Sequence, residues 1–149
     1  MRKNISTIII ISLLLTGCSG VAPQLGVDNG QLTPCPETPN CVSSQAESEQ
    51  HGIEPMRAAG SSAAIKNRIL ETLDTLPRSE IVKADDDYIR AEFTSRIMRF
   101  VDDVEFYFPE TGSDETIIHV RSASRLGRSD LGVNRKRVEE IRARFEAVD

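Results

Sequence analysis

The chain has 149 residues and a formal net charge of −5, with two histidines and no tryptophan. Its length is enough for one ordinary domain but not for two. A chain this acidic is a poor general binder of nucleic acid, so its composition argues against that class of protein.

The first eighteen residues have the pattern of an export signal. A short basic start precedes an apolar run over residues 5–15, which is too short for a membrane-spanning helix and fits a secretory signal. The tetrapeptide LTGC that ends at Cys18 resembles the lipobox of bacterial lipoproteins, in which the cysteine is acylated and becomes the mature N-terminus. Residues 1–18 are therefore expected to be a lipoprotein signal peptide, with lipid attachment at Cys18.

The stretch after the signal lacks any hydrophobic period. Residues 19–33 are rich in Gly, Pro, Asn and Gln, which predicts a flexible tether. The remaining residues, 34–149, are expected to fold as a single α+β domain. Ser19 rather than an aspartate follows the cysteine, and the usual sorting pattern of lipoproteins then indicates the periplasmic face of the outer membrane.

Two cysteines remain once Cys18 is assigned to lipid. Cys35 and Cys41 enclose a turn-rich loop that contains two prolines, and such a pair outside the cytoplasm is expected to close as a disulfide. Redox switching and metal binding are the alternatives, although two thiolates with no nearby histidine make a poor zinc site. We predict a structural disulfide, no metal and no cofactor.

The first half of the domain predicts a short strand followed by a helix. Val42 begins the strand, and residues 53–56 are expected to be extended because they contain a proline. A serine at 61 or 62 caps the helix, and Pro77 ends it. The apolar stripe of this helix has spacings of four, four and three. It consists of Ile65, Ile69, Leu73 and Leu76.

The second half predicts an antiparallel meander and a last helix. Strands are expected from Ile81, over the β-rich run 88–100, from Val104 to Phe108, and over 116–124. A kink or turn is expected at Asp102-Asp103. The last helix has a buried stripe of Val138, Ile141, Phe145 and Val148. One antiparallel sheet of about four to five strands, with two helices packed on one face, buries these stripes.

The strongest candidate for chemistry is a basic segment, residues 121–144, with eight basic and three acidic side chains. A strand, a glycine-containing loop and a helix N-terminus can together bind phosphate or carboxylate. The residues predicted to bind an anion are Arg121, Arg125, Arg128 and Asn134. Asn134 is one candidate for the helix cap and Asp130 is the other. The competing interpretation is a loop of arginines and aspartates that stabilises the fold.

A second polar group lies on the central strands. Its carboxylates could act as acid and base or hold calcium, but adjacent strand residues point to opposite faces, which disfavours a shared ion. Structural ion pairs are the preferred interpretation. The residues predicted to form them are Arg96, Arg99, Asp102, Asp103 and Asp130. No sequence pattern identifies a catalytic residue.

Three segments of the chain form a specific pattern: CPETPNCVSS (35–44), AEFTSRIMRFVDDVEF (91–106) and RSASRLGRSDLGVNRKRVEEIR (121–142). In this order they resemble the signature blocks of the family known as domain of unknown function 1499, whose bacterial members include lipoproteins. The resemblance covers residues 32–145 and implies no activity, substrate or catalytic residue.

We therefore expect a lipid-anchored protein of the cell envelope that acts as a non-enzymatic binding or accessory module. Its expected partners are the membrane, through the anchor, and an anionic small molecule or lipid headgroup. The alternative is an enzyme or carrier that acts on an anionic envelope ligand held by Arg121, Arg125 and Arg128.

Overall fold

The computed structural model describes residues 20–147, so the predicted signal peptide with Cys18, and Val148 of the predicted helix stripe, lie outside the described residues. The elements in chain order are β1 (Val27–Asp28), β2 (Gln31–Leu32), β3 (Cys41–Ser43), β4 (Met56–Ala59), α1 (Ser62–Asp74), β5 (Ser79–Ala84), β6 (Tyr88–Thr94), β7 (Val101–Tyr107), β8 (Glu115–Ser124) and α2 (Val133–Glu146).

The main sheet has six strands, one more than the upper end of the predicted number. Its order is β3-β8-β7-β6-β5, and β4 pairs with β8 on the same edge as β3. Neighbouring strands are antiparallel throughout. The predicted α+β class and the predicted single domain are confirmed.

The two helices cover one face of this sheet. The Ser61 side chain caps α1 by accepting a hydrogen bond from the Ala64 N–H, as the sequence predicts. Helix α1 packs on α2 and β5, while α2 packs on β8 and β3. Their apolar stripes meet the inward residues of β6, β7 and β8 in one core. Among residues 20–147, no helix is long and apolar enough to cross a bilayer.

The predicted kink at Asp102-Asp103 is wrong. Both residues lie inside β7, which pairs without interruption with β6 on one side and β8 on the other. They point to opposite faces of the sheet, as the alternation of a strand requires. The chain instead turns at residues 95–100, where the predicted β-rich run stops short at Thr94.

The second face of the sheet is partly covered by the segment before β3. Strands β1 and β2 form a small hairpin inside the stretch predicted to be a tether, and Leu32 is buried. The side chain of Gln45 binds this hairpin through two hydrogen bonds. Its Oε1 accepts from the Leu32 N–H, and its Nε2 donates to the Gly30 carbonyl. The ordered part of the domain therefore begins before residue 34. The disulfide between Cys35 and Cys41 is present, which confirms the predicted pairing.

Candidate functional site

Seven polar side chains gather on the sheet face opposite the helices, and we call them the outer-face cluster. β6, β7, β8 and the residue after β8 contribute them because alternate strand residues share a face. The cluster consists of Tyr88, Arg90, Glu92, Asp103, Glu105, Arg121 and Arg125. Its three arginines and three carboxylates balance one another in charge.

Asp103 lies at the centre of the cluster and is 1 % exposed. Arg125 binds it in a bidentate way, with Nε 2.8 Å from Oδ2 and Nη2 2.9 Å from Oδ1. Arg90 donates to Oδ1 from Nε at 3.0 Å and from Nη2 at 2.6 Å. Arg125 also donates to Glu92. The hydrogen bond to Asp103 is the main reason that the pKa of Arg125 lies above its ordinary value.

Glu105 forms the second half of the cluster and is fully buried. The Tyr88 hydroxyl donates to Oε1 at 2.8 Å, and Arg121 Nη1 donates to Oε2 at 3.0 Å. Burial raises the pKa of Glu105 despite the Arg121 charge. Burial also raises the pKa of Tyr88, with a further contribution from Glu105.

The N-terminal segment lies over this cluster. Arg90 donates to the Pro23 carbonyl at 3.3 Å, and Arg121 and Arg125 line a cavity of about 170 Å³ that also contacts Val21. Arg128, the third residue of the predicted anion site, does not line that cavity. Arg121 is paired with Glu105, and Arg125 with Asp103 and Glu92, so an anion would compete with these carboxylates for the two guanidinium groups. Anion binding by these residues stays a prediction.

A second polar network lies on the helix side of the sheet, around the fully buried Asn134. Its Oδ1 accepts from Ser122 Oγ at 2.5 Å and from Arg137 Nη1 at 2.8 Å. Its Nδ2 donates to the Asn40 carbonyl at 3.1 Å and to Ser124 Oγ at 2.9 Å. Asn134 therefore joins β3, β8 and α2.

Helix α2 has Gly132 as its N-cap residue, without a side-chain cap hydrogen bond, so neither Asp130 nor Asn134 is the cap. The side chain of Asp130 nevertheless satisfies backbone groups at the start of the helix. Its carboxylate accepts from the backbone N–H groups of Asn134 at 2.7 Å and Gly132 at 3.0 Å. Burial raises the pKa of Asp130, but these hydrogen bonds outweigh burial and hold it below its ordinary value. Asp130 therefore binds N–H groups around the first turn of α2 and, within residues 20–147, does not form the predicted ion pair.

The remaining predicted ion-pair residues divide into two groups. Asp102 pairs with Arg137 of α2, with Oδ2 2.5 Å from Nη2, a partner that sequence reasoning missed. Arg96 and Arg99 lie exposed in the loop between β6 and β7. Within residues 20–147, neither forms an ion pair, which corrects the expectation that they brace the sheet.

His119 lies on the outer face of β8 beside a residue that sequence reasoning also missed. Ser44 Oγ accepts from the Val120 N–H at 2.9 Å and lies 3.2 Å from His119 Nδ1. Which of these two atoms donates depends on the tautomer of His119. Burial, and then the charge of Arg57, lower the pKa of His119. Within residues 20–147, no carboxylate contacts this ring, so it lacks the acid of a catalytic triad.

Among residues 20–147, no three His, Cys, Asp or Glu side chains are arranged as metal ligands. The fold, the outer-face cluster and the polar network around Asn134 together define the class of this protein. It is a single-domain α+β protein with a buried charged cluster between its sheet and its N-terminal segment. The chain belongs to the family described as "Protein of unknown function (DUF1499)", whose model matches residues 31–145.

Comparison with other proteins adds little to this membership. A search of curated proteins finds no match. The crystal structure of TTHA0849 from Thermus thermophilus is similar over 73 % of this chain and 99 % of that chain, with 12 % identity and a TM-score of 0.34. That score is too low to support a functional comparison.

The three sequence segments that resemble the family's signature blocks contact one another in the outer-face cluster and in the polar network around Asn134. Asn40 comes from the first block, Asp102 and Asp103 from the second, and Arg125 and Asn134 from the third. The contacts are therefore made between blocks that are distant in sequence, which gives these residues a structural role.

Replacing Arg125 should destabilise the fold far more than replacing Arg128. Arg125→Met leaves the buried Asp103 carboxylate with Arg90 alone, which should cost about 3 kcal/mol, the lower end for breaking a buried pair. Arg128→Met removes an exposed charge and should change the free energy of unfolding by less than about 0.5 kcal/mol. Urea denaturation of both variants at neutral pH measures the difference, and equal small effects would contradict the structural role of Arg125.

The free energy of unfolding should decrease when the pH falls below the ordinary pKa of histidine, about 6.5, because of His119. The folded state binds this proton less readily than the unfolded chain, so the contribution is present above that pH and is lost as pH falls through the lowered folded pKa. Denaturation of wild type and His119→Gln from about pH 7 to about pH 5 should give diverging curves. Arg57→Gln should reduce the divergence, and parallel curves for wild type and His119→Gln would refute it.

Proposed function

We propose that this chain is a lipid-anchored protein of the cell envelope, located on the periplasmic face of the outer membrane, and that it acts as a non-enzymatic binding or accessory module. The anchor is Cys18, at the end of the LTGC sequence. The disulfide between Cys35 and Cys41 supports this location, because such bonds persist in oxidising compartments.

One observation carries the non-enzymatic part of the proposal. Arg121 and Arg125, the strongest candidates for holding an anionic substrate, are paired with Glu105 and Asp103 beneath the N-terminal segment. Enzymes that act on anions place such arginines where substrate can reach them and where charge develops in the transition state. In this domain the guanidinium groups stabilise the fold instead.

The anchor can be tested with the full chain in a Gram-negative host. Wild type should incorporate an alkyne-labelled fatty acid, and Cys18→Ala should not. The matched control is the double variant Cys35→Ala, Cys41→Ala, which keeps the lipid site and should still be labelled. Wild type that carries no label, or Cys18→Ala that keeps it, would contradict acylation at this residue.

The location can be tested separately by changing the residue after the cysteine. Ser19→Asp should move the protein from the outer-membrane fraction to the inner-membrane fraction on a density gradient, whereas Ser19→Ala should stay in the outer membrane. The same distribution for both variants would refute the sorting assignment but leave the anchor intact.

A further inference from the structure

The antiparallel meander separates charge between its two ends. Turn 85–87 and loop 108–114 lie at one end, where Asp85, Asp86, Asp87, Glu110 and Asp114 are exposed. Loop 95–100 and the segment after β8 lie at the other end, which we call the basic end. Its exposed cations include Arg96, Arg99 and Arg128. Within residues 20–147, these three form no ion pair.

The basic end also carries most of the strongly exposed large apolar side chains. Ile97 is 84 % exposed, Met98 is 63 % exposed and Leu131 is 88 % exposed. Phe100, Leu126 and Val133 line one shallow cavity of about 190 Å³, so the β6–β7 loop and the β8–α2 loop form one surface. Apolar side chains interspersed with arginine are the composition that binds the interface of an anionic bilayer.

The N-terminal segment reaches this same end. A Cβ atom added to Gly20 would lie 3.0 Å from Arg125 Cβ and 3.2 Å from Leu126 Cγ, so Gly20 packs directly against the start of the β8–α2 loop. Gly20 is the second residue after Cys18, and two residues of chain reach at most about 7 Å. Acyl chains on Cys18 would therefore leave the domain beside its basic, apolar surface.

We propose that the basic end is a membrane-docking surface, which holds the domain against the anionic phospholipid headgroups of the bilayer that carries its anchor. This inference rests on the proposed lipid anchor and adds an orientation to it. Ile97, Met98 and Leu131 enter the interface, and Arg96, Arg99 and Arg128 contact the phosphates. The acidic turn at 85–87 faces away from the anionic surface, which would repel it.

The test uses the full acylated chain in vesicles, with a fluorescent label on a single added cysteine. Cys35 and Cys41 are joined and Cys18 carries lipid, so an added cysteine is the free thiol. Ile97→Cys places the label at the basic end, and Asp86→Cys places it at the opposite end. On vesicles of phosphatidylglycerol and phosphatidylethanolamine, the label at 97 should be shielded from an aqueous quencher and quenched by headgroup-linked quenchers. The label at 86 should stay accessible to water.

Neutralising the cations should release the domain from the surface without releasing the anchor. Each cation near an anionic surface contributes about a factor of five, so the triple variant Arg96→Gln, Arg99→Gln, Arg128→Gln should lower the ratio of docked to undocked domain about a hundredfold. The matched control neutralises three exposed cations elsewhere, Arg57, Lys83 and Arg144, and should remain docked.

The outcomes separate this inference from the anchor on which it rests. The intact mass of the same sample reports the acyl chains. Acylated protein whose label at 97 is accessible to water would overturn docking and leave the anchor standing. Protein without acyl chains whose label at 97 is still shielded on anionic vesicles would support the surface and refute the anchor. Shielding that appears only after envelope proteins are added would overturn lipid docking in favour of a protein partner.

Discussion

Asp103 is a carboxylate in the middle of a central strand, and it is buried between Arg125 and Arg90. Burial of a lone carboxylate would cost several kcal/mol, and the arginine partners of Asp103 offset that cost and so stabilise the strand. Arg125 also ties the end of β8 to Glu92 of β6. The rest of the outer face follows from this constraint, because the N-terminal segment packs over a cluster whose charges already cancel.

The same constraint gives these arginines a structural role. The guanidinium groups of Arg121 and Arg125 are paired with internal carboxylates, so we expect their loss to destabilise the fold. Asn134 has the corresponding part on the helix side, where it joins β3, β8 and α2 through its side-chain amide. The contacts of the outer-face cluster and those around Asn134 thus join signature blocks that are distant in sequence, on opposite faces of one sheet.

Apolar periodicity predicted most of the fold. Ile65, Ile69 and Leu73 have the spacing of a buried helix face, and Ile89 and Phe93 alternate as inward strand residues do, so burial alone specifies these elements. Asp102-Asp103 has the composition of a turn, because two adjacent acidic residues are unusual inside a buried strand. Their arginine partners on other elements neutralise both carboxylates and so make them compatible with a strand.

Those partners could not be found from local sequence. Arg137 is 35 positions from Asp102, and the Arg125 that binds Asp103 is 22 positions away. The resemblance between this chain and its family indicated the right blocks but not which residues meet. The sequence offered Asp130 and Asn134 as helix caps, but the N-cap residue is Gly132, and the side chain of Asn134 instead binds Ser122 and Asn40 of other segments.

Some arginines of this chain are paired with a buried carboxylate and others are exposed. NMR of the arginine side chains distinguishes the two groups by the rate at which their Nε–H protons exchange with water. The Nε–H groups of Arg90 and Arg125 donate to the buried Asp103 and should give resolved signals that exchange slowly with water. Those of Arg96, Arg99 and Arg128 should exchange rapidly and overlap at the position of free guanidinium groups. Rapid exchange at Arg125, equal to that at Arg128, would contradict the central role of the Asp103–Arg125 pair.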